Sequence, residues 1–118
     1  MSRVFTVRRS TAAGLDLSLI FDHLADSYIA LGDDAPAALE RAANRVRAID
    51  AAMQLLGRAP FQGTLREELM PGLRQVTKNS AIFYFRTNEP HECVDVLAVF
   101  FGGQDHQRRM LRRLLEEE

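Results

Sequence analysis

The chain has one cysteine, Cys93, among its 118 residues, and no tryptophan. A lone thiol forms no intramolecular disulfide, and Cys-rich zinc sites are excluded with it. A reducing cytoplasm is the expected compartment. Four prolines and seven glycines are too few for a collagen-like or low-complexity chain. No apolar run approaches the ~20 residues of a membrane helix. The opening Met1-Ser2-Arg3-Val4-Phe5-Thr6-Val7-Arg8-Arg9 has no apolar stretch of the kind a signal peptide needs. Excess charge of one sign is missing as well. The net charge is −1, with seven basic against seven acidic side chains in residues 1–60 and eight against nine in 61–118. Proteins that grip duplex DNA through its phosphates carry a basic excess. A protein partner or a small ligand is therefore expected, with no membrane association and no sequence-specific DNA binding by this chain. What remains is ordinary globular composition, 47% hydrophobic and 26% charged. A single domain over residues 1–118 is expected, long enough to bury roughly two-thirds of its unfolded surface.

Residues 3–9 alternate in a β-like way, and Ser10 and Thr11 then offer helix-capping oxygens. Residues 15–31 place Leu17, Ile20, Phe21, Leu24, Tyr28 and Leu31 at the spacing of a buried helical stripe. Asp16, Asp22 and Asp26 fall off it and are expected in solvent. Gly32 ends this helix, and Asp33 or Asp34 caps the next, with Pro36 in its first turn. The second helix, 35–56, has the stripe Leu39, Ala42, Ala43, Val46, Ile49, Met53 and Leu56. The turn between them is short enough to force an antiparallel αα-hairpin. Residues 57–72 read as a Gly- and Pro-rich link. The period then changes to two: strands at 73–77, 81–87 and 94–101, joined by turns at 78–80 and 88–92, predict an antiparallel meander. Asp105 is the expected cap of a last helix reaching about Leu115. The fold class is α+β in the order β-α-α-β-β-β-α, a small, mainly antiparallel sheet with the hairpin on one face.

The last strand is apolar on both sides, apart from Asp95. Val94, Val96, Ala98 and Phe100 are expected on one face, and Leu97, Val99 and Phe101 on the other. Such a strand is buried on both faces. Either the short last helix leaves an apolar remainder that marks a protein-binding surface, or that helix and the 57–72 link cover everything.

Several segments together resemble the RelE/ParE superfamily of toxins from type II toxin–antitoxin modules, most of all its ParE branch. They are Asp16-Leu17 with Ile20, the Ala-rich second helix, Pro60 and Gly63, and Glu68-Leu69-Met70-Pro71-Gly72-Leu73-Arg74. Ile82-Phe83-Tyr84 and Val96-Leu97-Ala98-Val99 complete the set. Pro71, Gly72, Leu73 and Arg74 form its structural motif. ParE-like chains commonly continue with His-Gly-x-Arg-Asp. Here that stretch reads Phe101-Gly102-Gly103-Gln104-Asp105, so its His and Arg are missing. The resemblance implies a toxin that binds and inhibits DNA gyrase, serves plasmid stabilisation and is neutralised by a small antitoxin of ParD type. No cofactor and no metal are implied. The alternative, from the RelE branch, is a ribosome-dependent mRNA endonuclease.

The apolar strands around Phe83, Phe85, Leu97 and Val99 are the expected antitoxin contact. Arg108, Arg109, Arg112 and Arg113 form the one dense basic patch. It is either a solvated helix face or a contact to antitoxin or target. For the nuclease alternative, Arg74, Lys78, Arg86 and His106 supply the necessary residue types, but nothing in their spacing brings them together. Arg74 is expected to pair with Glu68 and hold the 57–72 link, its other reading being a phosphate contact. His23 with Asp22 and Asp26 reads as a solvated helix face, and His91 as a turn residue. Cys93 reads as an inert, partly buried thiol. The Tyr84 hydroxyl is expected to find a backbone partner.

Overall fold

The computed structural model describes residues 3–102 and 106–116. The expected cap Asp105, with Gly103 and Gln104 of the 101–105 stretch and the terminal Glu117 and Glu118, lies outside the described residues. The chain runs β1 (Thr6–Arg9), α1 (Thr11–Ala30), α2 (Ala35–Gln54), a 3-10 turn (Leu55–Arg58), β2 (Thr64–Leu65), β3 (Leu73–Lys78), β4 (Ala81–Asn88), β5 (Cys93–Phe101) and α3 (His106–Glu116). The sheet order is β1-β5-β4-β3-β2. It is mixed: β1 lies parallel to β5, and every other pair is antiparallel. The two-residue β2 is an addition to the expected order, formed inside the 57–72 link.

The helices begin where their caps are. Ser10 accepts a hydrogen bond from the Ala13 N–H at 3.0 Å, which starts α1 at Thr11, four residues earlier than its apolar stripe suggests. Asp34 accepts from Ala37 N–H at 2.9 Å, with Pro36 in the first turn of α2. Gly32, at φ 113°, turns the chain between them. Two stripe expectations fail at the helix ends. Leu31 is 80% exposed, because it is the residue on which α1 stops, and Leu39 stays half in water one turn into α2. The second helix keeps its α form only to Gln54 and then tightens into the 3-10 turn.

Leu17, Ile20 and Leu24 of α1 and Ala42, Ile49 and Met53 of α2 pack on one face of the sheet, against Phe83, Phe85, Val94, Val96 and Val99. A smaller cluster on the other face gathers Leu73, Ile82, Tyr84, Ala98 and Phe100 under Met110 of α3, with Leu69, Met70 and Leu114 around it. The last helix and the 57–72 link together thus cover the second face.

The expected alternation of the last strand breaks at one residue. Tyr84 pairs with Ala98, but Phe85 pairs with Val96, so Leu97 is an extra residue in β5. A bulge of this kind reverses the phase of everything beyond it. Val94 and Val96 therefore share the hairpin face with Val99 and Phe101, while Ala98 and Phe100 turn to α3. Asp95, the odd charge in this strand, pairs with Arg8 opposite it on β1, Nε to Oδ1 at 2.7 Å. At the far end of the sheet, Asn79 and Ser80 take φ 51° and 63° in the tight β3–β4 turn. Asn79 Nδ2 donates to the Ala48 carbonyl of α2 at 3.2 Å.

The 3-10 turn meets β1 closely. The Phe5 N–H donates to the Gly57 carbonyl at 2.8 Å, and a Cβ on residue 57 would stand 2.1 Å from the Phe5 carbonyl oxygen. No side chain fits there without moving β1. Gly57→Ala is expected to destabilise the fold by about 1–3 kcal/mol, the range for overpacking. Urea denaturation followed by circular dichroism measures it.

Candidate functional site

The bulge leaves backbone groups of β5 without ladder partners where β1 has already ended. Three side chains take them up. Ser10 Oγ donates to the Leu97 carbonyl at 3.3 Å. Asp16 of α1 accepts the Val99 N–H at 2.9 Å. Arg113 of α3 donates to the same Leu97 carbonyl at 3.3 Å and grips Asp16 with both terminal nitrogens, each at 2.7 Å. Asp16 is thus not in solvent, as its place off the α1 stripe suggested. It is 5% exposed, with Arg113 as its counter-ion. A carboxylate this deep needs both charge and hydrogen bonds to remain there.

A second link ties the start of α3 to the sheet. The Tyr84 hydroxyl lies 2.7 Å from His106 Nδ1, so its partner is a side chain and not the backbone. Burial pushes the Tyr84 phenol up to about 12, with Arg66 opposing and Glu68 adding to the rise. Burial, and then the Arg66 charge, push His106 below its ordinary value. Both groups are therefore neutral near pH 7. The two share one hydrogen bond, whose donor is set by the imidazole tautomer.

Between α1 and α3 runs a groove of about 250 Å³, lined by Leu19, Ile20 and His23 of α1, by Phe100 and Phe101 of β5, and by Arg109 of α3, with Asp16 at its base. The Arg109 guanidinium lies 4.6 Å from the Phe100 ring centre. Arg108, Arg109 and Arg112 are exposed, while Arg113 of the same patch turns inward to Asp16.

The four nuclease-type residues do not converge. On β3, Arg74 stands opposite Phe85 and Lys78 opposite Ala81, which puts both on the hairpin face. Arg86 and His106 belong to the face of Tyr84 and α3. Lys78 and Arg86 are also roughly 17 Å apart along the sheet, five strand residues at ~3.4 Å each. Arg74 does hold the 57–72 link, but through the Phe61 carbonyl at 2.6 Å and the Phe61 ring. Glu68 instead faces Arg66, whose Nε is 3.4 Å away without hydrogen-bond geometry. Of the four apolar residues expected to meet an antitoxin, Phe83, Phe85 and Val99 are at most 1% exposed beneath the hairpin. They offer no contact surface in this fold, and only Leu97 reaches toward solvent. Cys93 is buried, its Sγ 3.2 Å from the His91 carbonyl. Among the described residues, no group of three or more His, Cys, Asp and Glu is placed to hold a metal, and no helix is long and apolar enough to cross a membrane. Asp16 with Arg113 and Tyr84 with His106 carried no local sequence signal. Each partner lies more than twenty residues from the other.

No protein-family model and no curated protein sequence matches the chain. Solved structures do. The chain is similar to one from the chromosomal ParDE TA system of P. aeruginosa, with 23% identity, coverage of 83% of this chain and 96% of that one, and a TM-score of 0.62. It is also similar to one from the RelBE2 toxin–antitoxin complex of Mycobacterium tuberculosis, with 20% identity, coverage of 84% and 99%, and a TM-score of 0.51. The likeness is one of fold.

Asp16→Ala strands Arg113 and leaves the Val99 N–H without its acceptor, so a loss of about 3 kcal/mol in urea denaturation is expected, typical of breaking a buried pair from one side. The double variant Asp16→Ala with Arg113→Met should recover part of that loss. The burial of His106, with the Arg66 charge nearby, makes stability depend on pH. His106 titrates lower in the folded chain than in the unfolded one, so the unfolded chain binds more protons as pH falls below ~6.5. Its contribution is fully present above that value and is lost as pH drops through the folded value. Melting curves at pH 7.5 and 5.5 should show a larger drop for the wild type than for His106→Gln.

Proposed function

We propose that this chain is the toxin of a type II toxin–antitoxin module, a ParE-like protein that acts by binding DNA gyrase and is neutralised by a small antitoxin of ParD type. The toxin reading is carried by the shared fold with the ParDE and RelBE2 chains, which spans more than four-fifths of this chain and nearly all of theirs. It agrees with the ordered motifs from Asp16-Leu17 through Pro71-Gly72-Leu73-Arg74 to Val96-Leu97-Ala98-Val99. The single domain 1–118 is the working unit, and the cytoplasm is where it meets gyrase.

The choice of binding over catalysis rests on how the charged side chains are spread. Cleavage of RNA needs a base for the 2′-hydroxyl, an acid for the leaving oxygen and cations on the phosphate, all within reach of one another. Arg74 and Lys78 lie on one face of the sheet, and Arg86 and His106 on the other. Nδ1 of His106 is engaged by Tyr84. The exposed arginines of α3 serve better as a contact to an acidic partner.

The RelE-type endonuclease is the second reading, favoured by the likeness to the RelBE2 chain and by a histidine and a tyrosine meeting near Arg66. One set of experiments separates the two. Expression from a repressed promoter should arrest growth, and purified protein should inhibit gyrase supercoiling and trap cleaved DNA. His106→Ala should keep both effects, provided a melting curve shows the variant folded at the assay temperature. Cleavage of mRNA on ribosomes, lost in His106→Ala, with supercoiling untouched, would instead establish the endonuclease.

A further inference from the structure

We propose that the tip of the αα-hairpin is the surface by which this chain holds its target, its apolar side chains entering a protein pocket whose rim carries lysines and arginines. The inference rests on the toxin reading and adds where the target is held and by what chemistry.

Ile29 in the last turn of α1, Leu31 at its end and Leu39 in the second turn of α2 are 46%, 80% and 48% exposed. Leu31 is the most exposed large apolar side chain among the described residues. None of the three belongs to either core cluster. Single leucines in water are ordinary, whereas three large apolar side chains at one turn mark a contact surface. The tip is also fixed in shape. The N–H groups of Leu31, Gly32 and Asp33 donate to the carbonyls of Ser27, Ile29 and Tyr28, each at 3.0 Å. Asp34 caps α2. Arg41 donates to Asp33 at 2.7 Å, and its guanidinium lies 4.0 Å from the Tyr28 ring centre. A surface already ordered loses little conformational entropy on binding. Charge then selects the occupant. Asp26, Asp34 and Glu40 are exposed. Arg41, the only arginine or lysine in residues 10–44, is taken up by Asp33. The tip is therefore acidic, and like charge repels a second copy of it, a nucleic acid or an anionic membrane. A protein pocket with a basic rim fits. An enzyme that holds DNA presents lysines and arginines to the phosphates, which makes gyrase a partner of the right sign. The basic face of α3 is anchored at Asp16, roughly 20 Å back along α1, and its opposite charge suits a different partner.

The test measures binding of the purified full chain to immobilised gyrase, and growth arrest on expression in cells. Leu31→Gln removes the most exposed apolar group and should weaken gyrase binding by about tenfold. Asp26→Lys with Glu40→Lys reverses the charge of the tip and should weaken it by about tenfold or more at low salt, where the wild type binds best. Both variants should arrest growth less than the wild type, while melting temperature and co-purification with a ParD-type antitoxin stay unchanged. Val4→Asp, 70% exposed and outside the hairpin, should behave as the wild type. Full binding and full arrest by Leu31→Gln and by the charge reversal overturn the tip and leave the toxin reading standing. Loss of antitoxin binding together with loss of arrest also overturns a surface dedicated to the target. A wild type that arrests growth without binding gyrase removes gyrase as the target, and arrest by the two variants then decides the tip. A wild type that neither arrests growth nor binds gyrase overturns the toxin reading and the tip with it.

Discussion

The Asp16 carboxylate is the point at which three parts of the fold meet. It accepts the Val99 N–H of β5 and both terminal nitrogens of Arg113 on α3, from a position on α1. In a site 5% exposed, an unpaired carboxylate would be very costly, and so would an unpaired backbone N–H. Each group is tolerable because of the others. The bulge at Leu97 creates the need, because it interrupts the ladder where β1 has ended. The same bulge sends Val99 and Phe101 to one apolar cluster and Ala98 and Phe100 to the other. One extra residue in β5 thereby sets which side chains each layer of the protein receives.

The last helix depends on this arrangement more than the hairpin does. The hairpin spreads its contacts over two twenty-residue helices and most of the larger cluster. The eleven residues of α3 bury only Met110 completely and are held near their two ends, by His106 on Tyr84 and by Arg113 on Asp16. A short helix fixed by polar links at its ends keeps its outer face available. That face carries Arg108 and Arg112, beside a groove whose floor is apolar.

The sheet divides between its two faces the cations that the linear sequence assigns to neither. Alternation along a strand puts neighbouring residues on opposite faces. Arg74 and Lys78 therefore go with the hairpin, and Arg86 with α3. The α3 face of the sheet also carries the histidine engaged by the buried Tyr84 phenol and the exposed arginines of α3.

Much of the architecture was already present in local patterns. The helical hairpin follows from 3–4 spacing, from Asp34 and Pro36, and from a turn too short for any other packing. The meander follows from the change to a period of two after residue 72. These signals are local because backbone hydrogen bonding and side-chain direction repeat within a few residues. The parallel placement of β1 against β5, the bulge at Leu97, the burial of Asp16 by Arg113 and the pairing of Tyr84 with His106 were not legible in the same way. The bulge shows only when β4 is laid beside β5; the other three join residues from 22 to 97 positions apart, and no periodicity reaches that far. Asp16 looked like a solvent residue because its neighbours along α1 place it off the stripe. Only the tertiary structure could supply the cation and the open N–H that make its burial favourable.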